Sequence, residues 1–434
     1  MLVIIDLELQ LSMILARTVR KLHVYSQIVP NNVTKEQLEA LEPKGILISG
    51  SPDPETSVDI SGILDRRIFG LGIPIMGINC EIDGVPCARY TIGSPDEERA
   101  ISDFLFQTCG FKKDWTTRNF IDSSIEEIKS KIGSGRAICG LSGGVDSSVA
   151  SVLVQQAIGD RLTCIFVDTG LLRKGEADDV RRIFGEGFKM NLRMVDARAR
   201  FLRALKGVID PEKKRKRIGS EFIKVFEDEA AKLKGDTDFL VQGTLYSDVL
   251  ESMADSGRGG SRVKSHHNVG GLPDTIQFEL IEPLRYLFKD EVREVGKELG
   301  IPAHVLERHP FPGPGLGVRI VGEVTEESLE IAREANAIVE EEIHGAAGLY
   351  RELWQVFAVL LDVRSVGVSR GMRTYERPIV VRAINSRDGM TCDWAKLPYS
   401  VLERISSRIT DEVQGVNRVV YDITPKPPGT VEWE

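Results

Sequence analysis

The sequence predicts an α/β protein in three parts: a shortened parallel-sheet segment, a complete doubly wound parallel sheet, and a smaller α+β domain. Three observations carry this reading. Short β-branched runs alternate with amphipathic helical stretches from the first residues, with glycine at the strand ends, as in parallel α/β sheets. The alternation stops after residue 80 and restarts beyond residue 111. Past residue 311 it gives way to long helical stretches and further β-branched runs.

Each element follows in order. LVIID (2–6) is the first strand, ILARTVRKL (14–22) the first helix, and GILISG (45–50) and GIPIMGIN (72–79) two more strands. No comparable strand follows between Cys80 and Ser94; from Asp96 the chain is a polar amphipathic helix leading into a charged linker at FKKDW (111–115). The second part opens with the helix SSIEEIKSKIG (123–133) and the strand RAICGL (136–141). A Gly-rich turn, the helix SVASVLVQQAIG (148–159), and the strands LTCIFVD (162–168), MVDA (194–197) and DFLVQG (238–243) complete a doubly wound unit. A ligand is expected in the crevice at the carboxyl ends of those strands. The third part carries the helix EESLEIAREANAIVEEEI (326–343) and the strands VRSVGVS, PIVVRAI and VNRVVYDI. The boundaries fall at 1–110, 111–310 and 311–434.

Composition bounds the function. The chain has 434 residues, 42% hydrophobic and 28% charged, an ordinary globular balance. Its 56 Lys and Arg against 65 Asp and Glu leave a net charge of −9, which argues against non-specific nucleic-acid binding as its main task. No run approaches 18 uninterrupted apolar residues, and the first ten residues carry acids rather than a basic leader, so no membrane span or signal peptide is expected and the chain reads as cytoplasmic. Six cysteines at 80, 87, 109, 139, 164 and 392 show no zinc spacing, as for thiols in a reducing compartment.

The sharpest motif is Leu141-Ser142-Gly143-Gly144-Val145-Asp146-Ser147-Ser148, between a strand and a helix expected to begin near Ser147. Two glycines let backbone N–H groups approach phosphate oxygens, and the serines add hydroxyl donors. The helix brings its positive end to the same spot. There is no GxxxxGK[ST] and no loop lysine, so this anion cradle is not a Walker loop. It resembles the pyrophosphate-binding loop of the ATP pyrophosphatase family. That resemblance implies ATP cleavage between the α and β phosphates, with Ser142, Gly143, Gly144, Val145, Asp146, Ser147 and Ser148 holding ATP and pyrophosphate, and Asp146 holding Mg²⁺.

Further segments narrow the resemblance: FVDTGLLRK (166–174), DPEKKRK (210–216), QGTLYSD (242–248), KSHHNVGG (264–271), HPFPGPG (309–315) and KPPGTVEWE (426–434). All are similar to the GMP synthetase family, in that family's order. The similarity implies adenylylation of the C2 oxygen of XMP by ATP, followed by ammonia displacing AMP. Attack of one anion on another calls for Mg²⁺, backbone donors and cations. By the same resemblance Val167 lines the adenine pocket. Lys264, His266 and His267 lie on a Gly- and Ser-rich loop able to close as a lid, and Asp248 and Glu251, three apart, position Mg²⁺ or that lid. XMP would meet Arg215, Gly313, Pro314, Gly315, Gln355, Arg418, Lys426 and Glu432. The run from Lys213 to Arg217, taken alone, is a solvated helix face. The third part would form a homodimer. Two departures are Thr169, where the family usually has Asn, and Ser369-Arg370-Gly371-Met372, where it usually has a Gly-Asp pair.

Residues 1–110 resemble the class I glutamine amidotransferase domain, flavodoxin-like in fold, which uses a cysteine nucleophile, a histidine base and an orienting glutamate. Here Asn79 stands at the nucleophile position and Cys80 one residue late. His23 is the only histidine among the first 265 residues, and the family's His-x-Glu strand is replaced by Arg89-Tyr90-Thr91-Ile92-Gly93-Ser94. The expectation is a truncated, degenerate remnant without glutaminase activity, and ammonia taken free or from a separate glutaminase. Two other readings stay open: a related ligase acting on another nucleotide or base, and a non-catalytic nucleotide-binding paralogue.

Overall fold

The computed structural model describes residues 1–434 except 52, 54, 56–57, 60–61, 83, 234–236, 257–277, 370 and 387–390. The chain forms two compact units. The first comprises Met1–Ser124, Leu245–Lys264 and Arg285–Glu291, and the second Ile125–Thr244, Ser265–Leu284 and Val292–Glu434.

The first unit is built on a five-stranded parallel sheet in the order Ser26–Pro30, Leu2–Asp6, Gly45–Ser49, Ile75–Ile78 and Cys87–Ala88. Counted along the chain this is order 2-1-3-4-5, the flavodoxin-like arrangement. Leu2, Val3, Ile4 and Ile5 are wholly buried, as expected of a central parallel strand covered on both faces. Helix Leu9–Lys21 begins where the Glu8 carboxylate accepts the Leu11 N–H at 2.8 Å, and it buries Leu11, Leu15, Ala16 and Val19. That layer is completed by side chains from far along the chain: Tyr246, Leu250 and Phe288 pack in the same apolar cluster. The edge strand Cys87–Ala88, paired with Gly77 and Ile78, is one the sequence pattern did not reveal. Two residues are too few to show an alternation.

The second unit holds a five-stranded parallel sheet in the order Asn191–Asp196, Leu162–Asp168, Ala137–Gly140, Phe239–Val241 and Glu279–Ile281. Along the chain this is 3-2-1-4-5, doubly wound about its first strand. Helix Val145–Ile158 buries ten of its fourteen residues, which explains why its apolar residues run all round rather than along one stripe. A second sheet joins Gln355–Leu360 and Ser365–Ser369 antiparallel to the long strand Met372–Asn385, and Val416–Tyr421 parallel to it. Helix Glu326–Gly345, opened by a Thr325–Ser328 capping box, covers this sheet with helix Tyr399–Glu412. One apolar cluster runs from Ile138 and Phe226 through Leu329 and Val339 to Val381 and Ile405. No helix among the described residues is long and apolar enough to cross a membrane.

Candidate functional site

The Ser142–Ser148 motif turns at the carboxyl end of Ala137–Gly140, the strand at which the sheet order reverses. Gly143 has φ +75°, a conformation glycine adopts without the cost of a side chain. The helix begins at Val145, two residues earlier than the pattern suggested, because Gly144 takes the extended conformation (φ −75°, ψ 161°) of an N-cap. Gly144 brings no capping side chain, and the start of a helix is a place where backbone N–H groups can meet an anion. Ser142 and Ser147 brace the turn: their hydroxyls lie 2.8 Å apart, and Ser147 Oγ accepts the Ser142 N–H at 3.1 Å. Ser148 Oγ is buried without a hydrogen-bond partner. Gly243, after the next strand, would place a Cβ 3.1 Å from the Asp146 carbonyl carbon. Its lack of a side chain lets the two strand ends close on one another.

A cation reaches this loop that sequence reasoning passed over. Arg308 Nη1 lies 2.8 Å from Glu176 Oε1 and donates to the Gly143 carbonyl at 3.5 Å. Glu176, almost fully buried, also accepts the Arg173 N–H at 3.0 Å. Val167 is buried in the core cluster, which leaves its backbone, at the strand end, as what it can present. Thr169 is buried too, and its hydroxyl accepts the Leu171 N–H at 3.1 Å. Beside these strand ends a cavity of about 530 Å³ is lined by Asp168, Asp196, Arg198, Glu330 and Arg333, among others, and by no residue of the Ser142–Ser148 loop.

In the same unit a second group of expected residues converges. Gly315, at φ +61°, would put a Cβ 2.3 Å from the Leu171 carbonyl oxygen, so only glycine fits there. Its neighbours Gly313 and Pro314 form the turn, closed by Gly315 N–H to the Pro312 carbonyl at 2.8 Å. Gln355 Nε2 donates to the Pro310 carbonyl at 2.9 Å and to Glu432 Oε1 at 3.0 Å. Arg215 donates to the Glu434 carbonyl oxygen. Lys214 departs from the solvated face expected of its run: it is wholly buried, bonded to the Ile320 carbonyl at 2.6 Å and paired with Glu434. Burial pushes the Lys214 ammonium down and the Glu434 carboxyl up from their ordinary values. Lys426 exchanges backbone hydrogen bonds with Cys392. The bonds of Arg418 go to Ser365 Oγ and the Val366 carbonyl rather than to the Gln355–Glu432 pair.

Asp248 and Glu251 fall on helix Tyr246–Ser256 of the first unit, where Asp248 accepts the Leu245 N–H at 2.9 Å. Lys264, His266 and His267, expected on a lid, lie outside the described residues. In the first unit Asn79 occupies a strand-end elbow with φ +52°, a region in which asparagine is the most tolerant residue after glycine. Its amide donates to the Ser51 and Tyr90 carbonyls, both at 3.0 Å, and accepts the Tyr90 N–H at 2.9 Å. Cys80 is 1% exposed, and its thiol is pushed up to about 12 by burial and by the neighbouring Cys87 thiol. His23, just beyond the first helix, faces the Trp115 carbonyl at 3.2 Å.

Three family models match this chain: "Glutamine amidotransferase class-I" over residues 3–80, "NAD synthase" over 117–219 and "GMP synthase C terminal domain" over 341–433. The chain is 47% identical to "GMP synthase [glutamine-hydrolyzing]" of Geobacillus kaustophilus, the alignment covering 100% of this chain and 99% of the relative. The chain belongs to the GMP synthase family. The protein of the same name from Clostridium tetani is also 47% identical, over 99% of both chains. Among solved structures, NMN synthetase from Francisella tularensis aligns with 47% of this chain and 79% of its own at 16% identity and a TM-score of 0.36. Alignment with the Geobacillus GMP synthase spans 512 positions against the 434 residues present here. The amidotransferase match ends at Cys80, immediately after the Asn79 elbow.

Proposed function

We propose that this protein makes GMP from XMP with ATP and ammonia, releasing AMP and pyrophosphate, and that it does not hydrolyse glutamine itself. The domain reading is an amidotransferase remnant over 1–110, an ATP pyrophosphatase domain over 111–310 and a dimerisation domain over 311–434. The observation that carries the synthetase reading is the uncapped, twice-glycine loop Ser142–Ser148 at the strand-order reversal, in a chain 47% identical to a GMP synthase over its whole length.

The C2 oxygen of XMP attacks the α phosphorus of ATP, and the bond to the bridging oxygen breaks. Pyrophosphate leaves toward the loop N–H groups and the Ser142 and Ser147 hydroxyls. Ammonia then adds at C2 and AMP departs, taking with it the oxygen that was activated. The Ser142 and Ser147 hydroxyls and the Gly144 N–H, bonded to one another within the loop, would turn from these partners to the leaving charge, which a preorganised site stabilises. The family implies Mg²⁺. Asp146, in the first turn beside the phosphate cradle, fits it, since this ion is commonly held by one or two carboxylates together with substrate phosphates. When bound it would neutralise phosphate charge. Gln355, Glu432, Arg215, Lys426 and the turn Gly313-Pro314-Gly315 hold XMP, and Arg418 joins them as a phosphate partner. The exposed Val366, Val368, Met372 and Tyr375 on one hairpin support a homodimer through the C-terminal part, working in the cytoplasm.

Loss of glutaminase rests on Asn79, whose side chain at the elbow has no nucleophilic atom and is committed to three backbone groups. The Cys80 thiol, buried and held toward its neutral form, is a poor substitute, which supports this reading. Purified protein with ATP, Mg²⁺ and XMP should form GMP and pyrophosphate with ammonium chloride, and no GMP with glutamine alone. An equal rate with glutamine as sole nitrogen donor rejects the ammonia reading, and ammonium-dependent pyrophosphate release without XMP rejects the substrate.

A further inference from the structure

Beneath Gln355 and Glu432 lies a residue that gives the pair its orientation. Arg319 follows the Pro-Gly turn and is wholly buried. Its Nε and Nη2 each lie 3.1 Å from a different oxygen of Glu432, a two-pronged contact, and its Nη1 lies 3.4 Å from Asn336 Oδ1. The guanidinium is 4.1 Å from the centroid of the Phe357 ring and 5.0 Å from that of Phe311. A planar fork held this way fixes a carboxylate in a way a lysine cannot.

The consequence passes to Gln355. Both hydrogens of its amide nitrogen are used, one on the Pro310 carbonyl and one on Glu432 Oε1. Both partners are pure acceptors, so the amide can sit only one way round. Its oxygen, buried with the rest of a side chain that is 2% exposed, has no partner. An orphaned buried acceptor is destabilising, and a ligand N–H that reached it would remove that cost.

Building on the reading of this site as the XMP site, we propose that Arg319 is a positioning residue: by fixing Glu432 it turns the Gln355 amide so that an acceptor faces the base, selecting a purine that presents a ring N–H. Without the guanidinium, Glu432 is free to rotate, and the Gln355 amide keeps only the Pro310 carbonyl to hold its orientation. The amide would then be less firmly turned, and the site's preference for a ligand donor would weaken.

The test uses the full-length protein, with XMP and ATP varied separately and ammonium saturating, and with ring-N-methylated XMP as a competitor. R319M should raise the KM for XMP about tenfold or more, the equivalent of one lost hydrogen bond to a charged group, and leave the KM for ATP within about twofold. R319K should recover part of that loss. Wild type should bind the methylated analogue at least about tenfold more weakly than XMP, and R319M should lose most of this discrimination. If R319M does not fold, as judged by its melting curve, R319K carries the test through the same split between the two KM values. XMP and ATP KM values rising together, or an unmoved XMP KM, overturn the role of Arg319. Wild-type protein that makes no GMP from XMP overturns instead the functional reading on which it rests.

Discussion

Alkylation of Cys80 gives the sharpest check on the first unit. The reactive species of a cysteine is its thiolate. An ordinary thiol, titrating near 8.5, is about one-tenth ionised at pH 7.5. Cys80, pushed up to about 12, would be ionised in about three molecules per hundred thousand, a deficit of about three thousandfold. Because the charged form is the one disfavoured, reactivity should climb about tenfold per pH unit until the titration point is reached. The assay treats native protein with iodoacetamide at several pH values and follows each cysteine by peptide mass spectrometry, with the exposed Cys87 as internal reference. Cys87 should be labelled orders of magnitude faster than Cys80, and C80A should keep the full ammonia-dependent rate. Labelling of Cys80 within tenfold of Cys87 at pH 7.5, or a glutamine-dependent activity that disappears in C80A, would refute the reasoning.

Three other outcomes follow. Asn79→Ala removes hydrogen bonds to Ser51 and Tyr90 and puts alanine at φ +52°; it should cost about 2–4 kcal/mol in a denaturant titration, while GMP formation from ammonia at 25 °C is unchanged. Gly143→Ala forces a side chain onto φ +75°, 3.0 Å from Val180 Cγ2; ATP-dependent pyrophosphate release should fall about tenfold in kcat/KM, the equivalent of the 1–2 kcal/mol cost of that conformation. Burial holds the His309 imidazole below its ordinary value of 6.5, so the folded protein favours the neutral ring and the unfolded chain takes up a proton first. The stability from neutral His309 is therefore present above pH 6.5 and is lost as pH falls through the lower folded value. Melting temperatures measured from pH 7.5 downward should fall more steeply for wild type than for H309Q.

What was legible in the sequence was what is encoded locally. Strands such as Leu162–Asp168 and the Ser142–Ser148 loop declare themselves within ten residues, because glycine and β-branched side chains act on their own backbone. Asn79 was legible only through the resemblance, as the residue standing at that family's nucleophile position. Arg308 was passed over because nothing near it in the chain marks it; Gly143, the loop residue it reaches, lies 165 positions away. Arg319 was hidden likewise, 113 positions from Glu432. Lys214 was misjudged because a run of five basic residues looks uniform, whereas a helix turns one of them inward every three or four positions. The start of the helix at Val145 was missed because an N-cap glycine carries no side-chain signal.

The long-range completion of the first unit limits how that segment can be altered. Tyr246, Leu250 and Phe288 share a core with Leu2, Leu15 and Ile101, and Tyr246 Oη lies 3.4 Å from the Ile28 carbonyl. Cutting the chain at residue 110 would strip these three of their apolar neighbours and leave them facing water, so the stump should be sticky rather than simply smaller. Any shortening of this segment must therefore spare the sheet against which Tyr246, Leu250 and Phe288 pack.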